Sequence, residues 1–224
     1  AAAHSRTADT GPRRVAEAME DLLINLTFVA AIGAGTRFVV GGGGRFTFPA
    51  ATLALAGITL AISVAGNLDQ ALLDSLDRNR DQLLSGEVWR IFTPLFVQDG
   101  GWAGTASNII ALLFIGTITE TVFSRRVLLA AYFTAGLLSE IAAYTIFQHQ
   151  GYAGNSVAIL GLAGLCLVTF ATQAETVTKA IAVVGLLAGA ILLVTGNLHG
   201  VGFTVGVAVG VALVGSPKPL RSGG

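Results

Sequence analysis

The chain has 224 residues, of which 53% are hydrophobic and 12% are charged, and its formal net charge at pH 7 is zero. Soluble domains carry about 25% charged residues, so half that fraction excludes an ordinary soluble protein and indicates an integral membrane protein. The zero net charge gives no electrostatic basis for binding nucleic acid. The single cysteine, Cys166, excludes an internal disulfide.

The N-terminal part of the chain divides into a polar and an apolar segment. Residues 1–21 are polar and of mixed charge, which predicts a tail that leads into a helix. Residues 22–44 form an extra hydrophobic segment that ends in a run of glycines. This segment contains Arg37, which costs about 2.5–3.5 kcal/mol deep in a span but little near an end. The pattern favours a membrane span and leaves an interfacial helix open.

Six further apolar stretches make residues 48–215 a predicted six-helix membrane domain, followed by a cytoplasmic tail over residues 216–224. Roughly 20 apolar residues cross a bilayer, and each stretch is about that long. The fold class is therefore an all-α polytopic membrane protein with an extra N-terminal hydrophobic helix. The stretches run over residues 48–68, 104–123, 127–147, 154–172, 177–195 and 198–214.

A long acidic connection, residues 69–103, separates the first two of these stretches. Its apolar patch, residues 88–96, is too short to span, and the tryptophan within it suits the lipid interface. If the six helices alternate, six basic residues fall on the opposite side: Arg45, Arg125, Arg126, Lys179, Lys218 and Arg221. The positive-inside rule then places both ends of the core in the cytoplasm and the long connection outside. An extra N-terminal span would put residues 1–21 outside.

Two predicted helices carry matching rows of small residues. In the last helix Gly202, Gly206 and Gly210 share one face, and His199 lies one turn before them on the same side. The fourth helix has its own small-residue row of Gly154, Ala158, Gly161 and Gly164. Small residues let helix backbones approach closely. The rows therefore predict that Ser156 and His199, at the outer ends of these helices, come within hydrogen-bonding reach as an activated nucleophile and its base.

Over residues 48–215 the chain resembles the rhomboid family of intramembrane serine proteases. Four features carry the resemblance, in the family's order and at the family's positions. They are Trp89-Arg90 in the long connection, Asn108, Gly116 and Glu120 in the second helix, Gly154-Asn155-Ser156-Val157 at the start of the fourth, and His199, Gly202 and Gly206 in the sixth.

The resemblance implies an intramembrane serine endopeptidase with a Ser156–His199 dyad. By the same resemblance Asn108 and the backbone N–H of Ser156 form the oxyanion hole, with Gly154 beside it, while Trp89, Arg90, Glu120, Gly202 and Gly206 are structural. No cofactor or metal is implied. The expected partners are transmembrane protein substrates and the lipid bilayer, in the plasma membrane; the oligomeric state stays open.

Two positions depart from the family pattern. Gly104 stands where the family has a second-helix histidine, and Val157 stands where it has a glycine. Loss of one oxyanion donor costs about 10²–10³-fold in rate, and a β-branched residue beside the nucleophile could crowd the substrate or the sixth helix. The alternative is therefore a catalytically weak or inactive rhomboid-like protein that binds transmembrane helices.

Other polar residues in the predicted helices have structural interpretations. Glu120 is expected to tie the long connection to the second helix. Glu140, without an evident partner, is either structural or part of a proton relay, which is the one motive for a transporter or channel. His149 is either solvated or close to the mouth of the site, and Cys166 is expected to pack within its helix.

Overall fold

The structure is a computed structural model that describes residues 11–98, 100–147 and 154–214, without the side chains of residues 12 and 13. Two short 3₁₀ helices, Val88–Ile91 and Thr93–Leu95, lie between α4 and α5. The described ranges contain no strand. The helices are α1 (Pro12–Gly41), α2 (Ala50–Leu68), α3 (Gln70–Leu76), α4 (Arg80–Leu84), α5 (Gly101–Val122), α6 (Arg125–Thr145), α7 (Ser156–Gln173), α8 (Thr176–Val194) and α9 (Leu198–Val214).

The long helices confirm the predicted membrane fold. Six helices of the described chain, α1, α2, α5, α6, α7 and α8, are long and apolar enough to cross a membrane, and α9 is a shorter apolar helix. Their outward faces are apolar too: Ile58 on α2 and Leu187 on α8 are 51% and 61% exposed. Such faces are costly in water and are expected against lipid. The chain is thus an integral multi-pass membrane protein.

The N-terminal helix is longer than the sequence predicts. It begins at Pro12, where proline suits the first turn because no intrahelical acceptor is needed there. Half of the predicted polar tail is therefore helical, and α1 has the length and composition of a span. It runs antiparallel to α8: the Ala30 side chain lies against Gly185, and Arg37 pairs with Glu175 at the start of α8. Residues 1–10 and 215–224 lie outside the described ranges.

Helix α7 forms the centre of the bundle and packs against α1, α5, α6, α8 and α9. Nearly all of its residues between Val157 and Phe170 are buried. A helix that is apolar on every side is one surrounded by other helices, which explains why α7 shows little amphipathic pattern.

The small-residue rows bring the backbones of α7 and α9 into direct contact. A Cβ atom built on Gly202 would lie 2.1 Å from the Val157 carbonyl oxygen, and one on Gly206 would lie 1.8 Å from the Gly161 carbonyl oxygen. A methyl group at either position would overlap backbone atoms that have no room to shift. The glycines therefore set the distance between the two helices that begin with Ser156 and His199.

Buried charges fasten the long connection to the bundle. Arg78 donates from Nε and Nη2 to the two carboxylate oxygens of Glu140 on α6, at 2.7 and 2.6 Å, and both side chains are buried. Glu140 thus has a partner that the sequence pattern did not reveal, which supports the structural interpretation over a proton relay. Arg90 is also buried and bonds to the Asp77 and Glu87 carboxylates. Its neighbour Trp89 is half exposed.

The expected contact of Glu120 with the long connection is wrong. Its carboxylate instead accepts hydrogen bonds from the backbone N–H and the hydroxyl of Thr52, at 2.8 and 2.9 Å. Thr52 lies in the first turn of α2, where backbone N–H groups have no intrahelical acceptor. Glu120 lies near the far end of α5 from the connection, so it caps α2 and joins the first two helices of the core.

The buried ion pair predicts a large loss of stability when one partner is removed. Glu140→Ala leaves the Arg78 guanidinium buried without its carboxylate, and we expect the free energy of unfolding to fall by about 3–5 kcal/mol. The control is Arg37→Ala, which breaks the Arg37–Glu175 pair, whose side chains are 51% and 57% exposed; it is expected to cost less than about 1 kcal/mol. Unfolding in mixed detergent micelles measures both, and equal losses contradict the assignment.

The contact of Gly206 with the α7 backbone predicts that alanine is destabilising there but not at an uncrowded glycine. Gly206→Ala places a methyl group on the Gly161 backbone, and we expect a loss of about 1–3 kcal/mol or more in the free energy of unfolding, together with separation of α7 and α9. Gly57→Ala on α2 meets nothing within 4 Å, and the better helix propensity of alanine stabilises it by about 0.5–1 kcal/mol. The same unfolding measurement compares the two variants. A tolerated Gly206→Ala contradicts the close approach.

Candidate active site

The two residues singled out by the sequence meet at one end of the bundle. Ser156 is the first residue of α7 and His199 is the second residue of α9. The Ser156 Oγ lies 2.8 Å from the His199 Nε2, across 43 residues of sequence. The α7–α9 backbone contact lies directly below this pair. The arrangement gives a serine hydroxyl in contact with an imidazole nitrogen, which is the geometry of an activated nucleophile.

Asn197 determines which ring nitrogen of His199 carries the proton. Its Oδ1 accepts from the His199 backbone N–H at 2.8 Å, so it caps the start of α9, and it lies 2.8 Å from the His199 Nδ1. An oxygen that already accepts requires a proton on Nδ1 for the second bond. In the neutral ring the Nε2 is then unprotonated and accepts from the Ser156 hydroxyl. The imidazole is held in the tautomer that a general base needs.

A carboxylate of the N-terminal helix faces the same nitrogen. The Oε1 of Glu20 on α1 lies 3.3 Å from the His199 Nδ1. The Asn197 side chain also lies beside this carboxylate. The sequence pattern pointed to neither residue as part of the site.

A chain of amides lies beside Ser156. Asn108 on α5 donates to the Gln98 Oε1 at 2.7 Å, and the Gln98 amide donates in turn to the Asn155 Oδ1. Gln98 and Asn155 are buried. A Cβ atom on Gly154 would lie 3.2 Å from the Gln98 Oε1 and 3.5 Å from the Ser156 Oγ, so only glycine leaves this space open. The structure thus connects Asn108 to the residue preceding Ser156 through a glutamine that the sequence did not indicate.

The two departures from the family pattern have different structural consequences. The Val157 side chain is buried in a cluster with Leu95, Ala142, Ala143 and Leu198, so it does not keep α9 away from α7. Gly104 lies one turn before Asn108 on α5, and a Cβ atom there meets nothing within 4 Å. Val157 is thus accommodated in the core, whereas Gly104 leaves open space and supplies no hydrogen-bond donor.

The remaining polar residues lie away from this pair or beyond the described ranges. Cys166 is fully buried in α7, with its sulfur 3.3 Å from the Thr119 hydroxyl, as the packing interpretation expects. His149 lies outside the described residues. Among the residues that the structure does describe, no cluster of histidine, cysteine or carboxylate side chains could hold a metal ion.

Comparison with known proteins points to one family. A model of the rhomboid domain matches residues 85–216 of the chain. The chain is 35% identical over 85 residues to the rhomboid protease GluP of Bacillus subtilis (strain 168), and 34% identical over 87 residues to rhomboid-like protease 2 of Toxoplasma gondii. Each match covers 38% of this chain, but only 16% and 30% of the two relatives. The chain thus spans less than a third of either relative's length.

The chain of amides predicts that Gln98 stabilises this end of the bundle, because it bonds to both Asn108 and Asn155. Gln98→Leu removes both hydrogen bonds and leaves buried Asn155 without its donor, and we expect a loss of about 1–3 kcal/mol in unfolding free energy. The matched control is Gln70→Leu, which removes an exposed bond to Asp74 one helical turn away and is expected to cost less than about 0.5 kcal/mol. If the two variants unfold alike, Gln98 does not hold the site together.

Proposed function

Since the chain belongs to the rhomboid family, we propose that it is an intramembrane serine endopeptidase that cleaves membrane-anchored proteins. The observation that carries the proposal is the 2.8 Å contact between the Ser156 Oγ and the His199 Nε2. The protease names of the two relatives agree with it. The proposal extends to the plasma membrane as the site of action.

Ser156 is the nucleophile of the proposed reaction. As its Oγ attacks the scissile carbonyl carbon, the hydroxyl proton passes to the His199 Nε2, and the imidazolium then gives that proton to the leaving amine. The resulting acyl-enzyme is hydrolysed by water activated by the same nitrogen. The proton on Nδ1 stays there throughout, because the Asn197 Oδ1 accepts its hydrogen bond in every step.

The oxyanion of the tetrahedral intermediate requires donors near Ser156. The backbone N–H of Ser156 is the first of α7 and has no acceptor within that helix, which suits it to the role of the first proposed donor. Asn108 is the second proposed donor. One hydrogen of its Nδ2 is donated to the Gln98 Oε1 at 2.7 Å, and the second is proposed to bind the oxyanion. With Gly104 in place of a histidine, the proposed hole has one donor fewer than the family pattern.

Substrates of this site are proposed to be membrane-anchored proteins whose helix unwinds locally. A peptide carbonyl inside an intact helix is hydrogen-bonded and shielded from attack. Ser156 and His199 lie at the end of the bundle where the long connection is fastened, and both are partly exposed. We propose that water and an unwound segment reach the dyad from that end.

The empty position at Gly104 favours one alternative, a rhomboid-like protein that binds transmembrane helices with little or no cleavage. Labelling by a fluorophosphonate probe separates the two functions, because the probe reacts only with an activated serine. Covalent labelling that is lost in Ser156→Ala supports the protease. Unlabelled Ser156 together with recovery of membrane-protein partners supports the alternative.

The dyad predicts a loss of cleavage by at least about 10³-fold when either member is removed. The measurement is turnover of a model transmembrane substrate in detergent by Ser156→Ala and His199→Ala. The control is Ser75→Ala, an exposed serine of α3 whose hydroxyl bonds only to the Leu72 carbonyl, which should cleave like the unmodified chain. Residual cleavage that is equal in all of these proteins rules out the proposed mechanism.

A further inference from the structure

The N-terminal helix reaches the proposed active site with a charged side chain. Glu20 presents its Oε1 at 3.3 Å from the His199 Nδ1, on the side of the ring opposite Ser156. The two side chains are only 37% and 21% exposed, so bulk water screens the contact incompletely. No part of the reaction described above uses this carboxylate.

Helix α1 packs against the bundle through its C-terminal half, and Leu23, three residues after Glu20, is buried in the hydrophobic core. Gly35 lies so close to Ile118 of α5 that a Cβ atom would be 2.6 Å from that side chain. Phe38 packs on Phe170 of α7 with ring centroids 4.8 Å apart. These contacts with α5 and α7, together with the antiparallel packing on α8, make α1 part of the bundle rather than an appended helix. The carboxylate is therefore carried on a rigid support.

The Nδ1 of His199 faces two side-chain oxygens of different charge. The Asn197 Oδ1 lies at 2.8 Å and selects the tautomer, but an amide brings no net charge. The Glu20 carboxylate lies at 3.3 Å and carries a negative charge. When His199 takes the serine proton the ring becomes positive, so the carboxylate interacts more strongly with the transition state than with the resting enzyme.

We propose that Glu20 is a positioning residue for His199, which makes α1 a working part of the active site and adds a third member, which takes no proton, to the Ser156–His199 pair. The proposal rests on the proposed protease function. Glu20 touches neither substrate nor scissile bond and acts only through the imidazole. Its expected effect is on the chemical step and not on substrate binding.

The test uses the full chain and three substitutions. Glu20→Gln removes the charge at nearly constant size, Glu20→Asp keeps the charge and withdraws it by one methylene, and Asp21→Asn removes the charge of the adjacent exposed carboxylate as a control. The kcat and KM for a model transmembrane substrate are measured for each variant, with Ser156→Ala as the inactive reference. Thermal unfolding in the same detergent verifies that every variant is folded.

We expect Glu20→Gln to lower kcat about 5- to 30-fold, which is less than the 10²–10⁴-fold that a whole general base contributes, because Asn197 still holds the tautomer. The KM stays unchanged. The kcat of Glu20→Asp lies between the kcat values of Glu20→Gln and the unmodified chain, and the kcat of Asp21→Asn stays within about twofold of the unmodified value. A kcat of Glu20→Gln equal to that of Asp21→Asn overturns the proposal, as does a loss that appears in KM or in unfolding temperature alone.

A proton NMR measurement tests the contact without relying on activity. The proton on Nδ1, shared between Asn197 and Glu20, is expected to give a strongly deshielded resonance that is lost in His199→Ala and moves upfield in Glu20→Gln. A resonance that Glu20→Gln leaves in place overturns the proposal. If Ser156→Ala cleaves like the unmodified chain, the protease function fails, and this resonance alone then decides whether Glu20 positions His199.

Discussion

The direct contact between the backbones of α7 and α9 is the constraint on which the site depends. Ser156 and His199 lie in the first turns of their helices, and their side chains are short compared with the usual distance between helix axes. Only glycines at Gly202 and Gly206 let the two helices approach until a carbonyl of one lies against the Cα of the other. The 2.8 Å contact above them is then a consequence of helix packing, and it requires no strained loop.

The second requirement is a fixed connection over the same end of the bundle. The connection is polar and would be mobile if it were held only by solvent-exposed contacts. The buried Arg78–Glu140 pair fixes it to α6, and the bonds of Arg90 to Asp77 and Glu87 hold the connection itself together. Gln98 follows these anchors in sequence and reaches both Asn108 and Asn155. The buried ion pair that anchors the connection therefore helps to place the amides beside the dyad.

The features that recur at regular spacing along the sequence could be predicted, whereas contacts between residues far apart in the sequence could not. The spans and the small-residue rows follow from composition and spacing, and α9 has the predicted limits. The capping role of Asn197 could have been predicted, since an asparagine directly before an apolar helix is a common N-cap. The roles of Glu20 and Gln98 could not, because their partners lie on other elements far along the chain. Glu120 was assigned the wrong partner for the same reason: no local pattern shows which free helix end a carboxylate will meet.

The short length of α9 has a consequence for the membrane around the site. Its 17 residues make a helix about 25 Å long, roughly 5 Å less than the hydrocarbon thickness of a typical bilayer. A short free helix adapts by moving along the bilayer normal, but α9 is held by α6, α7 and α8. The mismatch must then be met by the lipid, which thins locally, or by a film of water that descends to His199. In either case the length of α9 draws the polar boundary of the membrane towards the helix that carries the proposed base.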